Sequence, residues 1–172
     1  MGAGQEGWSI FYVGLSADLP PELRCKYRGE NDWSADAVIS GVDSFQVLYG
    51  VDTDAVADGV ANSFLSASVI NGMDEQLTGS GATEEARERD RMRKSWWKRV
   101  ASIKVALVLH GEGDGPESGG PRMLHAFGAA YSQARGDSDT GTRLDREAMD
   151  PALRRRAHRV FSSTILLRNR IR

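Results

Sequence analysis

The sequence predicts an α+β domain: a mainly antiparallel β-sheet with short helices and long Gly-rich loops. Three observations point there. Several segments alternate apolar and polar residues with period two, the signature of strands with one face inward. Only one long segment, opened by Thr83 and anchored at Trp96 and Trp97, reads as a clear helix. Glycine is abundant at 19 residues and proline sparse at 5, which favours turns over a helical bundle. The 172 residues, 40% hydrophobic and 27% charged, suffice for one domain with a core of its own.

The elements follow in order. "WSIFYVGL" (8–15) is aromatic and apolar and reads as a strand. After the turn "DLPPE", "LRCKYR" sets Leu23, Cys25 and Tyr27 against Arg24, Lys26 and Arg28, so the two segments predict a hairpin. "GENDWSAD" reads as a loop. "AVISGVDSFQVLYGVD" is the next strand, with Phe45, Val47 and Tyr49 as its expected core face. "SFLSASVINGM" suggests a short helix capped by Asn62 or Ser63, with Leu65, Val69 and Met73 at helical spacing.

Thr83 opens a helix with Glu84 and Glu85 in its first turn and cations toward its end. Glu85–Arg89 and Asp90–Lys94 are spaced four apart as acid-to-base pairs. This helix is polar until Trp96 and Trp97, so it should lie on the surface, anchored at its C-terminal end. "ASIKVALVLHG" reads as a central strand. "GEGDGPESGGP" is a loop, "RMLHAFGAAYSQAR" a short helix or irregular cover, and "RLDREAMDPALRRRAHR" helical in two pieces around Pro151. "RVFSSTILLRNRIR" closes the chain as a strand. Segments 40–50, 102–110 and 159–167 are expected in one mainly antiparallel sheet.

Charge is polarised. Residues 1–81 hold 3 Lys/Arg and 12 Asp/Glu, and residues 82–172 hold 19 and 12. The two halves attract each other within one fold, or the basic half offers a face to nucleic acid or an acidic partner. The single Cys25 allows no internal disulfide, and no zinc-type Cys/His spacing exists. His110, His125 and His158 stand in no sequence relation to it. No apolar run is long enough to span a membrane. The N-terminus carries no cleavable signal, and the chain enters its first strand without a lead-in, which suggests residues upstream.

Two sets of residues invite functional readings. Asp52, Asp54 and Asp58 follow a strand in "VDTDAVADG", as in an acidic calcium loop, but Val56 stands where a third carboxylate belongs. A turn in which Asp side chains bond local N–H groups explains them as well. The spacing therefore makes them weak metal candidates and leaves Asp52 and Asp54 as a remote option for hydrolysis. The cations Arg91, Arg93, Lys94, Lys98 and Arg99 mix with Trp96 and Trp97, as in single-strand binders, and Arg154, Arg155 and Arg156 form a second cluster. A surface helix pinned by its tryptophans accounts for the first cluster equally well. Neither a phosphate loop nor a Ser-His-Asp order has positional support.

Three segments, "GVDSFQVLYGVDTD…DGVANSFLSA", "WWKRVASIKVALVLHG" and "RRRAHRVFSSTILLRNR", taken in this order, resemble the C-terminal part of PilW-type minor pilins of type IV pilus assembly. "ELRCKYRG" also fits the type. The resemblance covers about 37–110 and 154–171. It implies a pilin-like head, residues 1–172, lacking the apolar N-terminal helix and cleavage motif of a whole pilin. It further implies a non-enzymatic subunit without cofactors that helps prime pilus assembly and sits at the pilus tip. Its partners would be other minor pilins and a tip adhesin, with adhesion and twitching motility as downstream roles. The full-length protein would be anchored in the inner membrane of a Gram-negative bacterium before entering the extracellular pilus. The family turn is commonly "DTDGDG"; here it is "DTDAVADG". The disulfide pair of many pilin heads is missing, so Cys25 is left without a role. DNA binding through the 91–99 and 154–159 clusters remains the alternative.

Overall fold

The structure is a computed structural model that describes residues 8–15, 20–29, 32–115 and 120–167. It is a mixed α+β arrangement of antiparallel sheets and short helices. Among the described residues, no helix is long and apolar enough to cross a membrane. The chain forms two compact units, Met1–Gln46 with Ala106–Ser162, and Val47–Val105 with Ser163–Arg172.

Strands β1 (Ser9–Gly14), β2 (Glu22–Arg28) and β3 (Trp33–Ser40) make a three-stranded antiparallel sheet in the first unit. The expected hairpin is therefore present, with Phe11 opposite Cys25 and Val13 opposite Leu23. The reading of "GENDWSAD" as a loop is corrected: from Trp33 onward it is strand. Its polar residues form a ladder because β2 supplies the partner, Arg28 facing Trp33 and Lys26 facing Ala35. Cys25 is a free, half-buried strand residue.

A four-stranded sheet runs in the order β5-β4-β6-β9, from β4 (Val42–Val51), β5 (Ser63–Leu65), β6 (Val100–Asp114) and β9 (Arg156–Leu166). The three expected long strands are thus hydrogen-bonded neighbours. Their antiparallel direction shows in the bonds at their ends: His110 N–H donates to the Gly41 carbonyl at 2.9 Å, and Leu167 N–H to that of Ala101 at 3.0 Å. The expected core face of β4 is reversed. Val42, Ser44 and Leu48 are buried, whereas Phe45, Val47 and Tyr49 are half-buried. Both faces of this interior strand are covered to some degree, so alternation alone does not identify the deeper one. Strand β6 also extends to Asp114, into the segment read as loop.

In the second unit Val51, Ile70 and Val100 form a core cluster, with Tyr49, Leu65, Trp96 and Trp97 packed against it. Helix α1 (Ala67–Glu75) begins at Ser66, later than expected, because Ser63–Leu65 pairs with β4. Its buried residue is Ile70. Gly50 is required here: a Cβ would lie 2.1 Å from Ser102 Oγ. Helix α2 (Glu84–Lys94) is capped by Thr83 Oγ1, which accepts from Ala86 N–H at 3.2 Å, and buries no residue. A 3-10 turn, Trp96–Arg99, anchors its end. Asp74 accepts from Trp96 N–H at 2.7 Å, Asn71 accepts from Trp97 Nε1 at 2.9 Å, and Trp97 meets Tyr49 edge-on at 4.8 Å.

In the first unit, β7 (Met123–His125) pairs with β8 (Arg143–Asp145), and α3 (Ala129–Arg135) lies between them in sequence. The segment 143–159 is less helical than expected. It contains β8, a 3-10 turn at Arg146–Ala148, the one-turn helix α4 (Pro151–Arg154), and then β9. Asp150 caps α4 by accepting from Ala152 N–H, with Pro151 in its first turn.

Candidate functional site

The aspartate turn grows directly out of β4. Asp52 directly follows the strand, fully buried, and its own N–H donates to the Arg99 carbonyl at 3.0 Å. Its Oδ2 accepts from Gly59 N–H at 2.7 Å, and its Oδ1 accepts from Asp54 N–H at 3.2 Å and Arg99 Nη2 at 3.4 Å. Asp58 Oδ1 accepts from Val60 N–H at 2.8 Å. Gly59 takes φ +90°, a conformation that costs glycine little. The hydrogen bond from Gly59 N–H, followed by that from Asp54 N–H and the Arg99 charge, holds the Asp52 carboxyl below its ordinary range. Asn62 closes the far side, its Oδ1 accepting from Thr53 N–H at 2.9 Å.

This is the self-satisfied turn that the sequence offered beside calcium. One geometric expectation fails. The spacing set Asp58 apart, yet one carboxylate oxygen from each of Asp52, Asp54 and Asp58 lies within 4.8 Å of the others. The cause is the Gly59 bend, which returns the chain onto Asp52. Even so, both Asp52 oxygens are already engaged by protein donors, while Asp54 and Asp58 are exposed.

The basic residues are largely matched by local acids. Arg93 Nη2 and Lys94 Nζ reach Asp90 at 2.7 and 2.6 Å, and Arg91 pairs with Glu88. Asp90–Lys94 forms as expected, whereas Arg89 donates to the Glu85 backbone carbonyl instead of its carboxylate. Arg99 stacks over Trp96 at 4.8 Å and pairs with Asp52. Arg154 pairs with Glu147 at 3.1 Å. Lys98 and Arg155 are exposed, and Arg156 is half-buried. The 91–99 and 154–156 clusters belong to different compact units. Beside α2, an open cleft of about 410 Å³ is lined by Asn71, Asp74, Glu88, Arg91, Met92 and Trp97 among others.

One feature escaped the sequence reading: a buried group of Asp43, His110 and His158, whose members come from three adjacent strands. Only strand register could have revealed it. A second feature is the apolar exposure of the strands. On β9, Val160, Phe161, Ile165 and Leu166 are exposed, with Phe161 at 56%. On β1 and β3, Ile10, Phe11, Trp33 and Val38 are exposed as well. Period-two patterning announced these residues as strand but did not say that both faces would be open.

A β-rich fold with open apolar strands and a surface of locally matched charges has the character of an assembly or binding module. The sequence profile of the Type IV Pilus-assembly protein W family matches residues 10–169, and the chain belongs to that family. It is thereby a protein of type IV pilus assembly, associated with the cell envelope and the pilus machinery, in a family of generally non-enzymatic structural proteins. Comparison with curated proteins and with solved structures gave no match.

Proposed function

We propose that this chain acts as a non-enzymatic minor pilin subunit whose exposed strands bind other pilus subunits during priming of assembly. The observation that carries this reading is β9. It is an edge strand of the four-stranded sheet, and its residues from Arg159 to Leu166 are all exposed. An edge left unpaired among the described residues, with Phe161, Ile165 and Leu166 exposed, is a liability in a free protein and a docking surface in an assembly. The same strand carries the closing motif on which the family resemblance rests. Other minor pilins and a tip adhesin are the partners, and the pilus tip is the place of action.

Pairing of Arg91, Arg93, Lys94, Arg99 and Arg154 with carboxylates weighs against a nucleic-acid face, because a phosphate would have to displace those acids. The test is co-purification with the other minor pilins. Wild-type protein should retain them, and Phe161→Asp with Ile165→Asp should release them while leaving the circular-dichroism spectrum unchanged. Retention by a folded double variant would remove β9 from the interface. Failure of wild type to retain any minor pilin would overturn the reading.

A further inference from the structure

Asp43, His110 and His158 form a buried titratable group. Asp43 stands near the start of β4, His110 in β6 and His158 in β9, so three adjacent strands each supply one side chain. Their side chains are 5%, 1% and 1% exposed. His110 Nδ1 lies 2.9 Å from Asp43 Oδ1. His158 Nε2 lies 3.3 Å from Asp43 Oδ2 but out of hydrogen-bond alignment. Among the described residues, Asp43 Oδ2 and His110 Nε2 have no hydrogen-bond partner, and the His158 ring nitrogens make no well-aligned hydrogen bond, with the Arg156 backbone near the ring. Buried polar atoms are nearly always paired, so such atoms on three touching side chains call for an explanation. Apolar residues would fill the same space at lower cost.

We propose that Asp43, His110 and His158 form a buried site for a divalent transition metal, with zinc(II) as the ion that suits it best. One ligand atom from each residue lies within 4.8 Å of the other two, so small rotations bring all three onto a common ion at about 2.0–2.2 Å. Two imidazoles and one carboxylate are a donor set matched to zinc, with the fourth tetrahedral position left to water or a backbone carbonyl. The carboxylate supplies the one negative charge. Arg146 is the nearby cation, and its Nη2 is occupied by the Arg154 carbonyl at 2.6 Å. Gly41, at φ +73°, lets the backbone pass close to β6, where a Cβ would lie 2.7 Å from the His110 carbonyl oxygen. A bound ion would tie β4, β6 and β9 together, a cross-link that the single cysteine cannot make within the chain.

The test uses the purified chain, stripped with chelator and titrated with zinc(II) by calorimetry and with cobalt(II) by visible absorption. The site predicts one ion per chain, a raised unfolding midpoint, and the intense cobalt bands of a tetrahedral nitrogen and oxygen site. His158→Gln and Asp43→Asn should each weaken binding by ~100-fold or more, whereas Asp54→Asn should leave it intact. Absence of stoichiometric binding to wild type would overturn the proposal. Undiminished binding by a folded His158→Gln variant would do the same. Should the variants fail to fold, the wild-type cobalt spectrum decides. Tetrahedral bands support the site, and the pale spectrum of the hydrated ion contradicts it.

Discussion

Asp52 ties the end of β4 to the turn that follows it. It leaves β4 buried, and its carboxylate gathers Gly59 N–H, Asp54 N–H and Arg99. Its pKa is lowered in the folded state, so its stabilisation is present above the ordinary carboxylate range and is lost as pH falls through the folded value. The unfolding midpoint should therefore drop as pH is lowered below about 4. Asp52→Asn should lower the midpoint at pH 7 and flatten that acid dependence; an unchanged acid profile would remove Asp52 from the account. Calcium makes a second test of the same turn. Millimolar calcium against chelator should leave the midpoint unmoved, because both Asp52 oxygens already accept from protein donors. A rise of several degrees, abolished by Asp54→Ala, would make the turn a metal site. This local chemistry was legible in the sequence, since an Asp bonding N–H groups a few residues on needs no distant partner. The pairing of Asp43 with His110 was not, because it spans 67 residues and depends on register.

At the scale of elements, the helix signals carried information and the short strands did not. Thr83 caps α2 as its position announced, and Glu84 and Glu85 fill the first turn. Thr83→Ala should cost about 1 kcal/mol in urea unfolding, or less if α2 frays locally, since the helix buries nothing. Ile70 is the contrast. It is fully buried against Val51 and Val100, and Ile70→Ala should cost about 2–5 kcal/mol. A cost under about 1 kcal/mol would mean that α1 is not part of the cooperative core. Sequence spacing placed this helix too early because Ser63–Leu65 satisfies its backbone by pairing with Val51–Tyr49, a contact invisible in a local window. Strand β3 was missed for the same reason: its ladder with β2, and not its own composition, makes it a strand. The three long strands were legible because each carries enough alternating apolar residues to specify itself.

For the whole molecule, the decisive property is apolar surface left open. Phe161, Ile165 and Leu166 on β9, and Ile10, Phe11 and Trp33 on β1 and β3, are too many for a free solvated protein to leave without consequence. The isolated chain should self-associate in light scattering as concentration rises, and Phe161→Asp should reduce that tendency. A strict monomer at high concentration would count against these strands as binding surfaces. The family match states the process to which the chain belongs, and the open strands supply a physical reason for it to be a subunit. The most direct measurement is made in the bacterium that carries the gene. The gene is deleted and surface pili are counted by electron microscopy, with complementation by wild type and by the Phe161→Asp, Ile165→Asp double variant. The account predicts loss of surface pili on deletion, recovery with wild type, and no recovery with a double variant that is present at normal levels. Normal piliation in the deletion strain would contradict it.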